Sequence, residues 1–413
     1  MSALNRSRQG EVPEGFHELL PGEAAYHRHT EQTLLNSFRS WAYEEVITPS
    51  CEYYHTLMAG SDLSMEEEVY KFFDHKGRIL ALRPDVTVSV ARMVATKLRE
   101  DDLPFRLCYR AQVYRTGTRP GRLHELGQVG AELIGVRGVA ADAEVLGCAM
   151  TALEKLGLPR FQVGIGHREL LDALLTTAGL DAHQSAVALE ALRKKDLVSL
   201  EAVVGKDTLL WDLVAKGNGT RGWGQVLPRL RQELHGQGEM AVDELEAVFS
   251  MLKAMGIEHR VFLDVGIVRD LPYYTGTVFD MYAPPIGHAI GGGGRYDGLL
   301  AAFGSSYPAT GFSLELPAVV KALTNQLPDQ EWESKDYYVI GEPDQQAACF
   351  AVAARLREKG LAVAIELEPG DLEHCLNKAR RRGFKRALYV SEDGYQEHQL
   401  EEAKPNPAPD SIH

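Results

Sequence analysis

Two stretches of period-two alternation, joined by a turn, constrain this chain more than any other feature of its sequence. Phe105, Leu107, Tyr109, Ala111 and Val113 fall on one side of an extended segment. A turn-like Thr116-Gly117-Thr118-Arg119-Pro120-Gly121 follows, and the chain returns through Gly127 to Gly135. In the returning strand Val129, Ala131 and Leu133 share one side, whereas Gln128 and Glu132 share the other, because alternate residues of a strand point the same way. Such a hairpin aims two polar groups into one space. Taken alone, that polar side is ordinarily the solvated face of an antiparallel sheet.

The flanking segments supply the layers that a sheet needs. From Glu23 to Tyr43, Leu34, Leu35, Phe38 and Trp41 recur at helical spacing, and Val46-Ile47-Thr48-Pro49 reads as a short strand ended by proline. Between Asp85 and Arg99 the apolar positions Val88, Ala91, Val94, Ala95 and Leu98 predict a second helix, with Pro84-Asp85 at its start. Further strands are expected at Phe161 to Gly164, Val261 to Val268 and Tyr273 to Tyr282. From His167 to Met255 the pattern is helical, with a glycine-rich break at Gly217 to Gly224, so a helical insert is expected at about 167–255. The fold class is therefore α+β: a mainly antiparallel sheet flanked by helices.

A polar linker near Asp329 to Lys335 separates this core, residues 1–328, from a small α/β domain at 335–400. There the order is strand (Tyr337 to Gly341), helix (Gln345 to Lys359), strand (Leu361 to Leu367), helix (Asp371 to Arg382) and strand (Arg386 to Val390). Residues 401–413, with Pro405, Pro407 and Pro409, read as a disordered tail. A chain of 413 residues has length for two or three domains, and its 44 basic against 58 acidic residues argue against a protein whose main task is gripping phosphate backbones. Five scattered cysteines without a C-x-x-C pair read as reduced packing residues. With no apolar run of roughly 18 residues and no signal-like opening, the expected address is the cytoplasm, away from membranes.

Six segments then fall into one order: Trp41 to Pro49, Leu82-Arg83-Pro84-Asp85-Val86-Thr87, Tyr114-Arg115, Gln128-Val129-Gly130-Ala131-Glu132, Val268 to Gly276, and Gly292-Gly293-Gly294-Arg295-Tyr296-Asp297-Gly298. Together they resemble the core of histidyl-tRNA synthetases, a class II aminoacyl-tRNA synthetase family, over roughly residues 13 to 323. The resemblance implies the class II synthetase-like fold, and it makes the C-terminal domain similar to a truncated anticodon-binding module.

Two relatives share that core: the synthetase, and the regulatory subunit of ATP phosphoribosyltransferase, which opens histidine biosynthesis. Where a synthetase has an Arg-x-Glu triplet for ATP, this chain has Arg115-Thr116-Gly117, and where the third motif should carry an arginine it has Ala318. A neutral methyl cannot replace a fixed cation beside phosphate, where one donor is worth roughly 10²–10³-fold. The histidine-side residues look retained. By resemblance, Asp85, Thr87 and Gln128 would take an α-ammonium, Arg115 and Arg269 would approach a carboxylate, and Glu132 with Tyr274 would bracket an imidazole. Tyr273 belongs to the same set. Gly291 to Gly294 would let the backbone approach the ligand closely, and Arg295, Tyr296 and Asp297 would line the neighbouring wall.

The resemblance thus favours a non-catalytic regulatory subunit over a histidine-tRNA ligase. It implies a homodimer formed through Glu23 to Pro49, a hetero-oligomer with a short-form ATP phosphoribosyltransferase catalytic subunit, and free L-histidine as effector. Asp85 also fits a helix N-cap, and both roles can coexist. His27 and His29, two apart on a helix, point to nearly opposite sides, and no H-E-x-x-H run or Cys/His cluster occurs, so no metal and no cofactor are expected. Lys378-Ala379-Arg380-Arg381-Arg382 reads either as a remnant RNA-binding surface or as a solvated helix end favoured by the dipole, and the second reading is preferred.

Overall fold

The computed structural model describes residues 11–59, 69–98, 100–116, 123–215, 223–269, 274–328, 335–368 and 370–400. The chain divides into two compact units after Pro328.

In the first unit, α1 (Glu23–Ser40) buries Leu34, Leu35 and Phe38 and stops just before Trp41. The strand that follows is β1 (Glu44–Glu45), not Val46 to Pro49 as expected. The Val46 N–H donates to the Cys108 carbonyl at 2.8 Å, and the chain then leaves the sheet. Ile47 is 85 % exposed, and the carbonyls of Thr48 and Pro49 accept from the buried Arg83 guanidinium rather than from a ladder. Next come β2 (Cys51–Tyr53), α2 (Tyr54–Met58), β3 (Lys71–Phe73) and β4 (Ile79–Leu82), whose strands make a small antiparallel sheet in the order β2-β4-β3. Strands of three or four residues are too short to print an alternation. α3 (Thr87–Lys97) then buries Val88, Val90, Ala91 and Val94.

The expected hairpin is β5 (Phe105–Tyr114) and β6 (Glu125–Ile134), antiparallel, with Glu132 opposite Leu107 and Gln128 opposite Ala111. α4 (Val139–Lys155) and β7 (Gln162–His167) follow, then the run of helices α5 (Arg168–Thr177), α6 (Ala182–Lys194), α7 (Leu197–Val204), α8 (Leu209–Ala215), α9 (Trp223–Glu233) and α10 (Gln237–Ala254). The expected break lies largely outside the described residues, and its last member, Gly224, is inside α9. The core closes with β8 (Val261–Leu263), β9 (Thr277–Tyr282), β10 (Gly291–Arg295), β11 (Ala309–Glu315) and α11 (Leu316–Gln326).

The eight strands form one sheet in the order β1-β5-β6-β11-β10-β9-β7-β8, antiparallel except for the edge pairs β1–β5 and β7–β8. Its two faces bury different things. Beneath lie Val129, Ala131, Leu133, Phe279, Phe312 and Leu314, packed with α1, α4 and α10 in one large apolar core. Above lie Leu107, Tyr109, Ala111 and Val113 under α3, and beyond them the face turns polar. The glycine run Gly291 to Gly294, which would be a flexible loop by itself, is β10, a central strand buried along its whole length. Glycine is a poor strand former, so the neighbours must supply what the residue lacks.

The second unit contains β12 (Lys335–Gly341), α12 (Gln346–Glu358), β13 (Val363–Ile365), α13 (Leu372–Arg381), β14 (Phe384–Ser391) and β15 (Gly394–Gln399), with sheet order β13-β12-β14-β15. The domain therefore does not end after three strands. β15 pairs antiparallel with β14, and the sequence hides it because Gly394-Tyr395-Gln396-Glu397-His398-Gln399 is an edge strand with mostly exposed side chains and no apolar alternation. The tail at 401–413 lies outside the described residues.

The packing of β10 can be tested. A Cβ on Gly293 would overlap the Gly311 carbonyl and lie 2.7 Å from Phe312 Cα, and backbone atoms cannot rotate away. Gly293→Ala is expected to lower the unfolding free energy by about 2 kcal/mol or more. Urea denaturation is the measurement, and an unchanged midpoint would mean that β10 does not run between β9 and β11.

Candidate functional site

Register places the site before any side chain is considered. One row across the upper face of the sheet reads Tyr109, Gly130, Ser313, Gly292 and Asp280, from β5 to β9. The next reads Leu107, Glu132, Gly311, Gly294 and Val278. Three of these glycines mark where a neighbouring polar side chain lies flat on the sheet. A Cβ on Gly311 would overlap Glu132 Oε2, one on Gly292 would overlap Arg269 Nη1, and one on Gly130 would press on the Tyr109 hydroxyl. Gly294 adds φ of 154°, a conformation other residues rarely adopt. The glycines thus lower the floor of a cavity of about 1230 Å³.

Glu132 is the centre of that cavity wall. Its carboxyl group is buried and accepts from the Thr87 hydroxyl at 2.8 Å, the Tyr109 hydroxyl at 3.4 Å and the Tyr296 hydroxyl. All three donors are neutral. Burial therefore dominates and pushes the Glu132 carboxyl up to about 8; the hydroxyl donors hold it down against the Asp85 carboxylate. Near pH 7 it is a carboxyl that can either donate or accept. Tyr109 is pushed up by burial, and Tyr274 rises to about 12 for the same reason, although Arg269 pulls it down.

The remaining residues converge from four directions. Asp85 lies one residue before the cap position of α3, which is Val86 rather than Asp85 as expected; one of its carboxylate oxygens accepts the Thr87 N–H at 2.7 Å and the other accepts from Gln128 Nε2 at 3.4 Å. Arg83 holds this corner by donating to carbonyls of Thr48, Pro49 and Gln112. Gln128 also donates to the Ser313 hydroxyl at 3.0 Å, and its buried Oε1 has no partner among the described residues. A buried acceptor without a donor is costly unless something else supplies one. Arg115 donates to the Pro84 carbonyl at 2.9 Å and to Glu315 at 3.3 Å. Arg269 is paired with Asp280, donates to the Phe279 carbonyl at 3.2 Å and lies 5.8 Å from the Tyr274 ring centre.

Asp85, Thr87, Arg115, Gln128, Glu132, Arg269 and Tyr274 all line the one cavity. Tyr273 lies outside the described residues. The sequence reading did not single out three other residues of the site, and it placed a fourth only on the neighbouring wall. Tyr109 reads as one more apolar strand position, Ser313 and Asp280 are ordinary polar residues until the register sets them in a row, and Tyr296 reads as a wall residue although its hydroxyl reaches Glu132. The set offers open acceptors, two guanidinium groups and a near-neutral carboxyl beside phenols. That combination suits a zwitterion carrying a ring with hydrogen-bonding nitrogens. Among the described residues no group of three His, Cys, Asp or Glu side chains could hold a metal ion, and no helix is long and apolar enough to cross a membrane.

A family model described as histidyl-tRNA synthetase matches residues 15–319. The chain is 41 % identical to the ATP phosphoribosyltransferase regulatory subunit of Moorella thermoacetica over 91 % of its own length and 96 % of that protein. It is 40 % identical to the regulatory subunit of Symbiobacterium thermophilum, over 92 % and 96 %. Among solved structures, an ATP phosphoribosyltransferase regulatory subunit/histidyl-tRNA synthetase from Bacillus halodurans matches with a TM-score of 0.79 at 27 % identity, covering 93 % of this chain and 98 % of that one. The histidyl-tRNA synthetase of Nostoc matches with a TM-score of 0.78 at 22 % identity, covering 95 % and 97 %, and shows the shared fold.

The raised Glu132 carboxyl has a consequence for stability. Between the ordinary carboxylate range and about pH 8 the folded chain keeps a proton that the unfolded chain has released. This contribution is complete below the ordinary carboxylate range and is lost as the pH climbs through about 8. In Glu132→Gln the fall in denaturant midpoint between about pH 5 and about pH 9 is expected to be shallower than in the parent. Parallel curves would mean that Glu132 titrates normally.

Proposed function

Because the chain belongs to the histidyl-tRNA synthetase-like family and, within it, to the ATP phosphoribosyltransferase regulatory subunits, we propose that it is a non-catalytic subunit that carries free L-histidine in the cavity over Glu132. It would act in the cytoplasm on a separate short-form catalytic subunit, in a hetero-oligomer built on a homodimer formed through Glu23 to Pro49. Histidine bound here would favour one arrangement of the complex and so feed back on the first step of histidine biosynthesis. Only a difference in affinity between two arrangements is required.

The observation that carries the reading is the buried carboxyl of Glu132, fed only by hydroxyl groups and poised near neutrality, beside the partly buried phenol of Tyr274. An imidazole has one donor and one acceptor nitrogen when neutral, and this pair can answer both. An amino acid without a ring nitrogen would leave both groups without partners, a penalty that can reach roughly 10⁴-fold in discrimination. The open Oε1 of Gln128 and the Asp85 carboxylate suit an ammonium, and Arg115 with Arg269 suits a carboxylate. Both guanidinium groups already face protein acids, so a ligand carboxylate would share them with Glu315 and Asp280.

The absence of adenylation rests on Ala318, which lines the cavity where the family's third motif would place an arginine, and on the missing carboxylate after Arg115. With Ala318 there, the pocket lacks the fixed cation that the family's third motif would set beside a transferring phosphoryl group.

Reconstitution with the short catalytic subunit tests the whole reading. Histidine is expected to inhibit the complex, and calorimetry is expected to show histidine binding weakened about 10- to 100-fold in both Glu132→Gln and Tyr274→Phe, as for a buried hydrogen bond left unmade. The inhibition curve should shift by a similar factor. Unaltered affinity in both variants would remove the pocket assignment, and histidine-dependent ATP–pyrophosphate exchange by the chain alone would restore the ligase reading.

A further inference from the structure

We infer that Asp142, on the far side of the sheet from the cavity, is a positioning residue for the ligand pocket, acting through Arg295 on the two phenols that flank Glu132. The inference deepens the reading of that pocket and rests on it for the ligand half of the test below.

Arg295 closes β10 and Tyr296 is the next residue, so their side chains leave the backbone on opposite sides. Tyr296 rises into the cavity and donates to Glu132. Arg295 goes below, where Asp142 on α4 receives it: Oδ2 accepts from Nε at 3.1 Å, and Oδ1 lies 2.9 Å from Nη2 as an ion-pair contact. The remaining donors are taken as well: Nη1 reaches Asp297 at 3.0 Å and the Val136 carbonyl at 3.3 Å, and Nη2 reaches the Gly138 carbonyl at 2.9 Å. The side chains of Arg295 and Asp142 are 8 % and 2 % exposed. A buried ion pair whose guanidinium is also held by Asp297 and by two backbone carbonyls is fixed in place, because moving it leaves a charge without a partner.

The same residue anchors the second phenol. The Arg295 carbonyl accepts the Thr275 N–H at 2.8 Å, and Thr275 follows Tyr274 directly. The Thr275 hydroxyl accepts the Asp297 N–H at 3.2 Å, and the Asp297 carboxylate that meets Arg295 also takes the Ala309 N–H at 3.0 Å. Gly276 leaves room for the arginine stem, since a Cβ there would stand 3.0 Å from Arg295 Cδ. Both chain segments bearing a pocket phenol are thus tied to one residue, Arg295, the Tyr274 segment through its backbone carbonyl and Tyr296 as its chain neighbour, and Asp142 holds the guanidinium of that residue. α4, which carries Asp142, packs on α1, so the pair also joins the pocket to the helix at the start of the proposed dimer region. The Tyr296 hydroxyl donates to Glu132 only while the end of β10 holds its ring within hydrogen-bond reach and in line.

A merely structural ion pair would change stability alone, so the test reads Glu132 itself. In ligand-free protein labelled with ¹³C at the glutamate carboxyl carbons, the Glu132 signal is identified by its loss in Glu132→Gln and titrated in Asp142→Asn, Asp297→Ala and Tyr296→Phe. The groups facing Glu132 are Thr87, Tyr109, Tyr296, Asp85 and Tyr274. Removing the Tyr296 donor raises the Glu132 midpoint. Asp142→Asn and Asp297→Ala are expected to raise it in the same direction, and Asp142→Asn is expected to add nothing in a Tyr296→Phe background. Histidine affinity should fall about tenfold in Asp142→Asn. A Glu132 midpoint unmoved in the folded variants overturns the inference. A shifted midpoint with unchanged histidine affinity supports the positioning role and overturns the histidine reading instead. Asp297, whose side chain is 28 % exposed, allows the gentler substitution and decides the matter if Asp142→Asn does not fold.

Discussion

A carboxyl group buried without a cation is the constraint around which the first unit is arranged. Glu132 would be intolerable in a dry interior as an anion, and the protein answers with hydroxyl groups from three separate elements: Thr87 from α3, Tyr109 from β5, and Tyr296 from the residue after β10. Each answer imposes its own requirement. The Thr87 hydroxyl needs the first turn of α3 brought to the sheet, which Asp85 and Arg83 accomplish by holding its start. The Tyr109 ring needs the absence of a side chain at Gly130. Tyr296 needs the end of β10 held from below.

The sheet separates two kinds of stabilisation. Its underside is ordinary packing of Val129, Ala131, Leu133, Phe312 and Leu314 against helices, which is non-directional and tolerant of detail. Its upper side trades packing for polar geometry. Gly292 and Gly311 contribute no buried side-chain area, which weakens a strand, and what they permit is the flat placement of Arg269 and Glu132 over the floor. A polar pair on the underside, Asp142 with Arg295, sits where β10 ends and the cavity wall begins.

The proposed function follows the same division. An effector pocket requires selectivity and a way to report occupancy, and it needs no preorganised charge for phosphoryl transfer. A scaffold shared with histidyl-tRNA synthetases can therefore carry Ala318 at an arginine position while retaining Asp85, Gln128, Glu132 and Tyr274 around one cavity.

The sequence alone determined the pieces whose physics is local. The alternation of Phe105 to Val113, the facing pair Gln128 and Glu132, the helix after Pro84-Asp85 and the division near Asp329 all follow from periodicities of two and 3.6 and from a few polar residues at segment ends. The ordered motifs added the family and seven residues that the fold brings to one cavity. Only the tertiary structure decided what depends on cross-strand register. It made a strand of Gly291 to Gly294, whose intrinsic preference is for a loop, because β9 and β11 supply the ladder on either side. It turned Val46 to Pro49 away from the sheet because Arg83 claims the Thr48 and Pro49 carbonyls, and it gave the polar segment from Gly394 a partner in β14. It also set Tyr109, Tyr296, Ser313 and Asp280 among the site residues. Their neighbours in space are tens to hundreds of positions away in the chain, and a hydrogen bond between such residues leaves no trace in the spacing of either.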